Sequence, residues 1–110
     1  MLETSSAKQN LTINALLMDE KDNVVTCVSD IQQGENIVYR HADTICTLIA
    51  KENIPYCHKA ALTDIPQGED IIKYGESIGK TTASVNRGAW VADHNLVSVP
   101  RDYASEMLKL

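Results

Sequence analysis

An internal repeat limits the folds open to this chain. Asp30-Ile31-Gln32-Gln33-Gly34-Glu35-Asn36-Ile37 and Asp64-Ile65-Pro66-Gln67-Gly68-Glu69-Asp70-Ile71 agree at Asp, Ile, Gln, Gly, Glu and Ile, thirty-four residues apart. The phrase has the chemistry of a turn between two core-seeking residues. The first Ile ends a strand, Pro66 sets φ for turn entry, Gly68 supplies a positive φ, and the second Ile re-enters the core. Two copies are too few for a solenoid, which needs at least three stacked units. The repeat therefore predicts a pseudo-symmetric pair of β turns inside one small barrel-like domain. Val85-Asn86-Arg87-Gly88 echoes it more weakly, at a level that chance would also produce.

The sequence around the repeat reads as short strands and turns. Leu11, Ile13, Ala15 and Leu17 alternate with Thr12 and Asn14, a period of two that predicts a first strand. After the polar turn at residues 19–23, residues 24–28, 36–39 and 44–49 form further strands, the last favoured by its β-branched content. Lys73 and Tyr74 fall on a strand, which would send them to opposite faces. Residues 80–85 are too rich in hydroxyl and β-branched side chains for a helix and read as a short strand. Residues 90–94 and 96–99 make the last β segment before Pro100. Residues 1–10 read as a flexible leader, 11–100 as the domain, and 101–110 as a short amphipathic helix or linker carrying Tyr103, Ala104, Met107 and Leu108 at helical spacing. The fold class is mostly β.

Composition narrows the function classes. A formal charge of -5 gives no general attraction to nucleic acid or an anionic membrane, so an anionic substrate would need a locally positive pocket. Cys27, Cys46 and Cys57 contain no C-x-x-C and leave one thiol over in any disulfide scheme, which favours a reducing compartment. No basic segment followed by an apolar core opens the chain, and no apolar run approaches membrane-spanning length. The cytoplasm is the expected compartment.

The densest stretch carries a resemblance. Ile54-Pro55-x-x-His58-Lys59-x-Ala61-Leu62-x-Asp64-Ile65-x-x-Gly68-Glu69-x-Ile71-x-Lys73-Tyr74-Gly75-Glu76-x-Ile78-Gly79 resembles the SAF-type domain of the altronate and galactarate dehydratase family, a domain also found as a separate small subunit in the related sulfolactate sulfo-lyase. The resemblance spans roughly residues 13–99. It implies a β-clip fold and a part in a lyase that eliminates water, or sulfite, from a hydroxy acid. It also implies a large catalytic subunit or domain as partner, a sugar acid as substrate, and a divalent metal, iron(II) in the family, in the complete enzyme but none in this chain alone. Where members commonly have Gly before the His-Lys pair, this chain has Cys57. Where many end in His-x-His-x-His-Asn, it has Trp90-Val91-Ala92-Asp93-His94-Asn95.

The candidate site residues follow from that resemblance, each beside a plainer reading. His58 is the candidate catalytic group and Lys59 a candidate for the substrate carboxylate; a structural role at a strand start weighs about as much. Lys73 is a second candidate carboxylate partner, against a solvated strand position. His94 is the candidate metal ligand with Asp93 behind it, against an ordinary surface pair. Cys57 beside His58 suggests a nucleophile, but no third orienting group is apparent. Trp90, the single tryptophan, reads as a core or interface anchor. Two functions remain: the small subunit or N-terminal domain of a sugar-acid dehydratase, or a stand-alone module that binds a carbohydrate acid or a protein without catalysis. Self-association is left open.

Overall fold

The computed structural model describes residues 11–98, so the expected leader over 1–10 and helix over 101–110 lie outside the described residues. Nine strands follow in order: β1 (Ala15–Leu16), β2 (Val24–Cys27), β3 (Asn36–His41), β4 (Thr44–Ile49), β5 (Lys59–Ala61), β6 (Asp70–Lys73), β7 (Glu76–Thr81), β8 (Trp90–Val91) and β9 (Leu96–Val97). They form a four-stranded sheet ordered β1-β2-β5-β8, a β3-β4 hairpin, and a three-stranded sheet ordered β6-β7-β9. All pairings between strands are antiparallel. No helix occurs among the described residues, and the mostly β class expected from the sequence is the one observed.

The repeat proves deeper than its sequence suggests. In the first copy, Gly34 N–H donates to Ala50 O (2.9 Å), Ala50 N–H to Glu35 O (2.9 Å) and Glu35 N–H to Gln32 O (3.0 Å). Gly68, Thr81, Glu69 and Pro66 repeat those three bonds in the second copy. Gly88, Ala61, Ala89 and Asn86 repeat them a third time, so the weak echo at Val85 is a true copy. A fourth copy carries no sequence likeness at its centre: Cys57 N–H donates to Cys27 O (2.9 Å), Cys27 N–H to His58 O (2.8 Å) and His58 N–H to Pro55 O (3.1 Å). The turn positions Gly34, Gly68, Gly88 and Cys57 have φ of 90°, 84°, 89° and 71°. A left-handed backbone suits glycine and strains any other L residue; Cys57 carries that strain.

The four turns pair into two units. Bridges join Ile31 to Ile54 and Ile65 to Val85, so each unit is two turns flanking one hairpin. The Asp of the repeat ties each turn to its mate. Asp30 Oδ1 accepts Tyr56 N–H and Asp64 Oδ1 accepts Arg87 N–H, both at 2.8 Å. An asparagine clamps each hairpin. Asn14 accepts from Val38 N–H (2.8 Å) and donates to Asn36 O (2.9 Å), while Asn23 does the same with Ile72 N–H (2.7 Å) and Asp70 O (2.9 Å).

Each unit fills its own core, because the Ile residues that bracket each turn point inward. Ile31, Ile37, Leu48 and Ile54 form the first with Val25, Cys27 and Ala60; Ile65, Ile71, Val85 and Val91 form the second with Val24 and Ala61. Strand β2 serves both, Val24 on one face and Val25 on the other. The units meet at the β5-β8 ladder, where Lys59 stands opposite Val91 and Ala60 opposite Trp90.

Several strand expectations shift. The first strand shortens to Ala15–Leu16, since Asn14 is engaged with the hairpin instead. The strand expected over 80–85 starts earlier and ends at Thr81, where the next repeat turn takes over. The segment from Trp90 keeps strand form only to Val91. Tyr74 does not lie on a strand: it sits in the β6-β7 turn at φ 58°, with Asp22 accepting its N–H and that of Gly75. Lys73 and Tyr74 therefore touch, Lys73 Nζ lying 5.2 Å from the centre of the Tyr74 ring, rather than facing apart.

Candidate functional site

Two clusters of chemistry-bearing side chains flank the β5-β8 ladder where the units meet. The first is built on Trp90. Its backbone is fixed on both sides: Glu52 Oε2 accepts its N–H (3.0 Å) and Asn95 Nδ2 donates to its carbonyl (2.7 Å). Its indole packs on the first core and donates from Nε1 to His58 Nδ1 at 3.0 Å. The His58 ring meets the indole edge-on, centres 5.3 Å apart at 74°. The His94 ring lies 4.8 Å from the same indole at 57°. Asn95 brings His94 there, since it closes the loop after β8 by accepting Ala92 N–H and donating its own N–H to Ala92 O, each at 3.0 Å.

The second cluster lies on the other face. Alternation along β5 turns Lys59 away from His58, opposite Thr26 on β2 and Val91 on β8. Burial, then the neighbouring charge of Lys73, hold the Lys59 ammonium below its ordinary value of 10.5, and Asp93 partly offsets this. Thr26 Oγ1, beside Lys59 in the ladder, is a buried side-chain oxygen without a partner among the described residues. The two ammonium groups supply the charge that a carboxylate would meet on this face, while the Thr26 hydroxyl is closed off from solvent.

The residues singled out in the sequence thus separate into His58 with His94, joined by Trp90, and Lys59 with Lys73. The missed member is Trp90, whose N–H could only have been placed next to His58 by knowing the β5-β8 register. Asp93 bears on Lys59. Cys57 is exposed in its strained turn, and its neighbour His58 is committed through Nδ1 to Trp90, so no base activates the thiol. Burial pushes the Cys27 thiol up to about 11, which keeps it protonated and inert.

A divalent metal needs several converging donors, and among the described residues no three His, Cys, Asp or Glu side chains come together in that way. His58 Nδ1 is already occupied by an N–H. These residues do not fit a metal by themselves. A surface cavity of about 540 Å³ lies elsewhere, lined by residues including Leu11, Ile13, Asn14, Val28 and Val38, and shares no side chain with either cluster. Among the described residues no helix is long and apolar enough to cross a membrane.

A β domain of two turn-hairpin-turn units, with half-buried polar clusters on the two faces of their junction, is the class that fold and site define. The chain belongs to the altronate/galactarate dehydratase SAF domain family, whose model matches residues 13–99. It is similar to galactarate dehydratase (L-threo-forming) of Escherichia coli (strain K12), 38% identical over 81 residues that cover 74% of this chain and 14% of that protein. It is similar to altronate dehydratase of the same organism, 33% identical over 87 residues, covering 79% of this chain and 16% of that protein. It is also similar to (2R)-sulfolactate sulfo-lyase subunit alpha of Chromohalobacter salexigens, 32% identical over 89 residues, covering 78% of this chain and 95% of that subunit. The chain therefore spans only 14% to 16% of these dehydratases and matches almost the whole of a protein named as one subunit of a lyase.

Proposed function

We propose that this chain is the small subunit, or the N-terminal domain, of a sugar-acid dehydratase of the altronate or galactarate type. It completes the active site of a large catalytic partner and does not act alone. The observation that carries the reading is the likeness to nearly the whole of a lyase subunit, joined to a junction of the two units where half-buried His58 stands on one face and half-buried Lys59 with Lys73 on the other. Lys59 and Lys73, on the face away from His58, supply local positive charge for an acidic group there in a chain of net charge -5, while the face that carries His58 is the one assigned to the reacting oxygens. His58 contributes a group toward the reacting oxygens, and the partner contributes the base that removes the proton next to the carboxylate. In this reading the divalent metal of the complete enzyme, iron(II) by resemblance, is held by the partner's groups, and the assembly works in the cytoplasm.

The test is co-purification of the tagged chain from its native cytoplasm, with partners identified by mass and the complex assayed on altronate, galactarate and sulfolactate. A large dehydratase-type partner and turnover of a sugar acid are the expected result. Turnover of sulfolactate alone would move the assignment to the sulfo-lyase branch. A chain that recovers no partner and binds a carbohydrate acid unaided would replace the proposal with a stand-alone binding module.

A further inference from the structure

The bond between Trp90 and His58 decides which form of the imidazole is present. An indole N–H donates and cannot accept, so His58 Nδ1, 3.0 Å away, must offer a lone pair. A doubly protonated imidazole has no such lone pair. The ring is therefore neutral with its proton on Nε2.

Trp90 is well placed to enforce this. Its backbone is held by Glu52 and Asn95, its ring packs on the first core, and His94 lies against the indole. The His58 backbone is locked in its repeat turn by Pro55 O and Cys27 N–H. Nε2–H is left with no protein acceptor among the described residues.

We infer that Trp90 is a positioning residue that fixes His58 as a neutral Nε2–H donor, and that His58 serves the reaction by hydrogen-bonding a substrate oxygen rather than by moving a proton. This deepens the proposed function and rests on it. A nitrogen that already bears a proton cannot abstract one from carbon, and a neutral imidazole that surrendered its proton would be left as a strongly basic anion. A fixed neutral imidazole can still polarise an oxygen as negative charge builds there, on the carboxylate or on the departing hydroxyl. Proton abstraction then falls to the partner.

The tautomer is read directly on the 15N-labelled chain by long-range proton–nitrogen correlation of its imidazoles at neutral pH. The expected spectrum shows His58 with an unprotonated Nδ1 and a protonated Nε2, and Trp90→Phe lets the two tautomers mix. Protonated Nδ1 in the wild-type chain would overturn the donor assignment, whether or not the variant folds. In the assembled enzyme Trp90→Phe should lower kcat about tenfold with KM within twofold, because the donor wanders while the partner's hold on the substrate is intact. An unchanged kcat would overturn the positioning role. Full activity of His58→Ala in the assembled enzyme would overturn a catalytic His58, whereas a chain that recovers no large dehydratase-type partner would overturn the lyase reading beneath it.

Discussion

The two units of this domain share their backbone bonds and differ in what they hang on them. Unit one holds Ile31 to Ala60 with Asn14 as its clamp, and unit two holds Ile65 to Val91 with Asn23. At the last turn of each, the same frame presents Cys57-His58-Lys59 in the first and Gly88-Ala89-Trp90 in the second. One copy supplies imidazole and ammonium; the other supplies the indole that positions the imidazole. The same turn frame thus places unlike side chains on either side of the β5-β8 ladder where the units meet. The outer parts diverge too. Strand β7 is covered at its far edge by β9, whereas β4 pairs with β3 alone and leaves Ile45 and Ile49 exposed.

The largest difference between the units should come from the turn glycines. A side chain at Gly88 would meet the backbone carbonyl of Ile49 as well as a φ of 89°, whereas Gly34 has nearly the same φ and open space around it. Gly88→Ala should destabilise by about 3 kcal/mol or more, and Gly34→Ala by about 1 kcal/mol. Equal losses in urea melts would show that strain alone, not the junction, sets the cost.

Next come the clamps. Asn23→Ala leaves a partly buried N–H and C=O of β6 unpaired and should cost roughly 2 kcal/mol, against about 1 kcal/mol for Asn14→Ala at its more exposed site. Native-state hydrogen exchange at Ile72 and Val38 reads each loss locally.

Lys59→Met should stabilise the chain by roughly 0.5–1 kcal/mol, discounted for solvent around the ammonium, while weakening acid binding in the assembly. Its folded value lies below 10.5. At neutral pH both folded and unfolded chains hold the proton and the burial penalty is felt in full. Between the folded value and 10.5 the unfolded chain binds more protons, so wild-type stability rises with pH and the advantage of the variant shrinks. An advantage that instead grew above neutral pH would contradict the assignment.

The smallest effect makes the units more alike. Cys57→Gly relieves a left-handed cysteine but loosens the unfolded chain, for a net gain of about 0.5 kcal/mol. A melting temperature lowered by this change would mean that the Cys57 side chain has a packing role that its exposed position does not indicate.

What the sequence made legible was the turn chemistry. Gly68 has the positive φ that its residue type implied and Gly34 matches it, whereas the role of Asp30 and Asp64 as acceptors for Tyr56 and Arg87 emerges only from the fold. The copy at Ile54 was illegible because Cys57 occupies the glycine position and only the backbone bonds betray it. His58 and Lys59 were legible as chemistry, yet their separation onto two faces follows from strand alternation starting at the turn exit. The Trp90 contact depended on the pairing of β5 with β8, distant in sequence, which no local pattern encodes. Tyr74 was misplaced because Asp22, far away along the chain, holds the β6-β7 turn.

Whether this domain takes part in chemistry is decided by turnover of the assembled enzyme carrying His58→Ala, with the affinity of the variant chain for its large partner determined in parallel. Assembly should be unchanged and kcat should fall roughly 10²- to 10³-fold, as for removal of a fixed donor facing developing charge. Unchanged turnover in a fully assembled complex would contradict a catalytic His58 and reduce this domain to a scaffold.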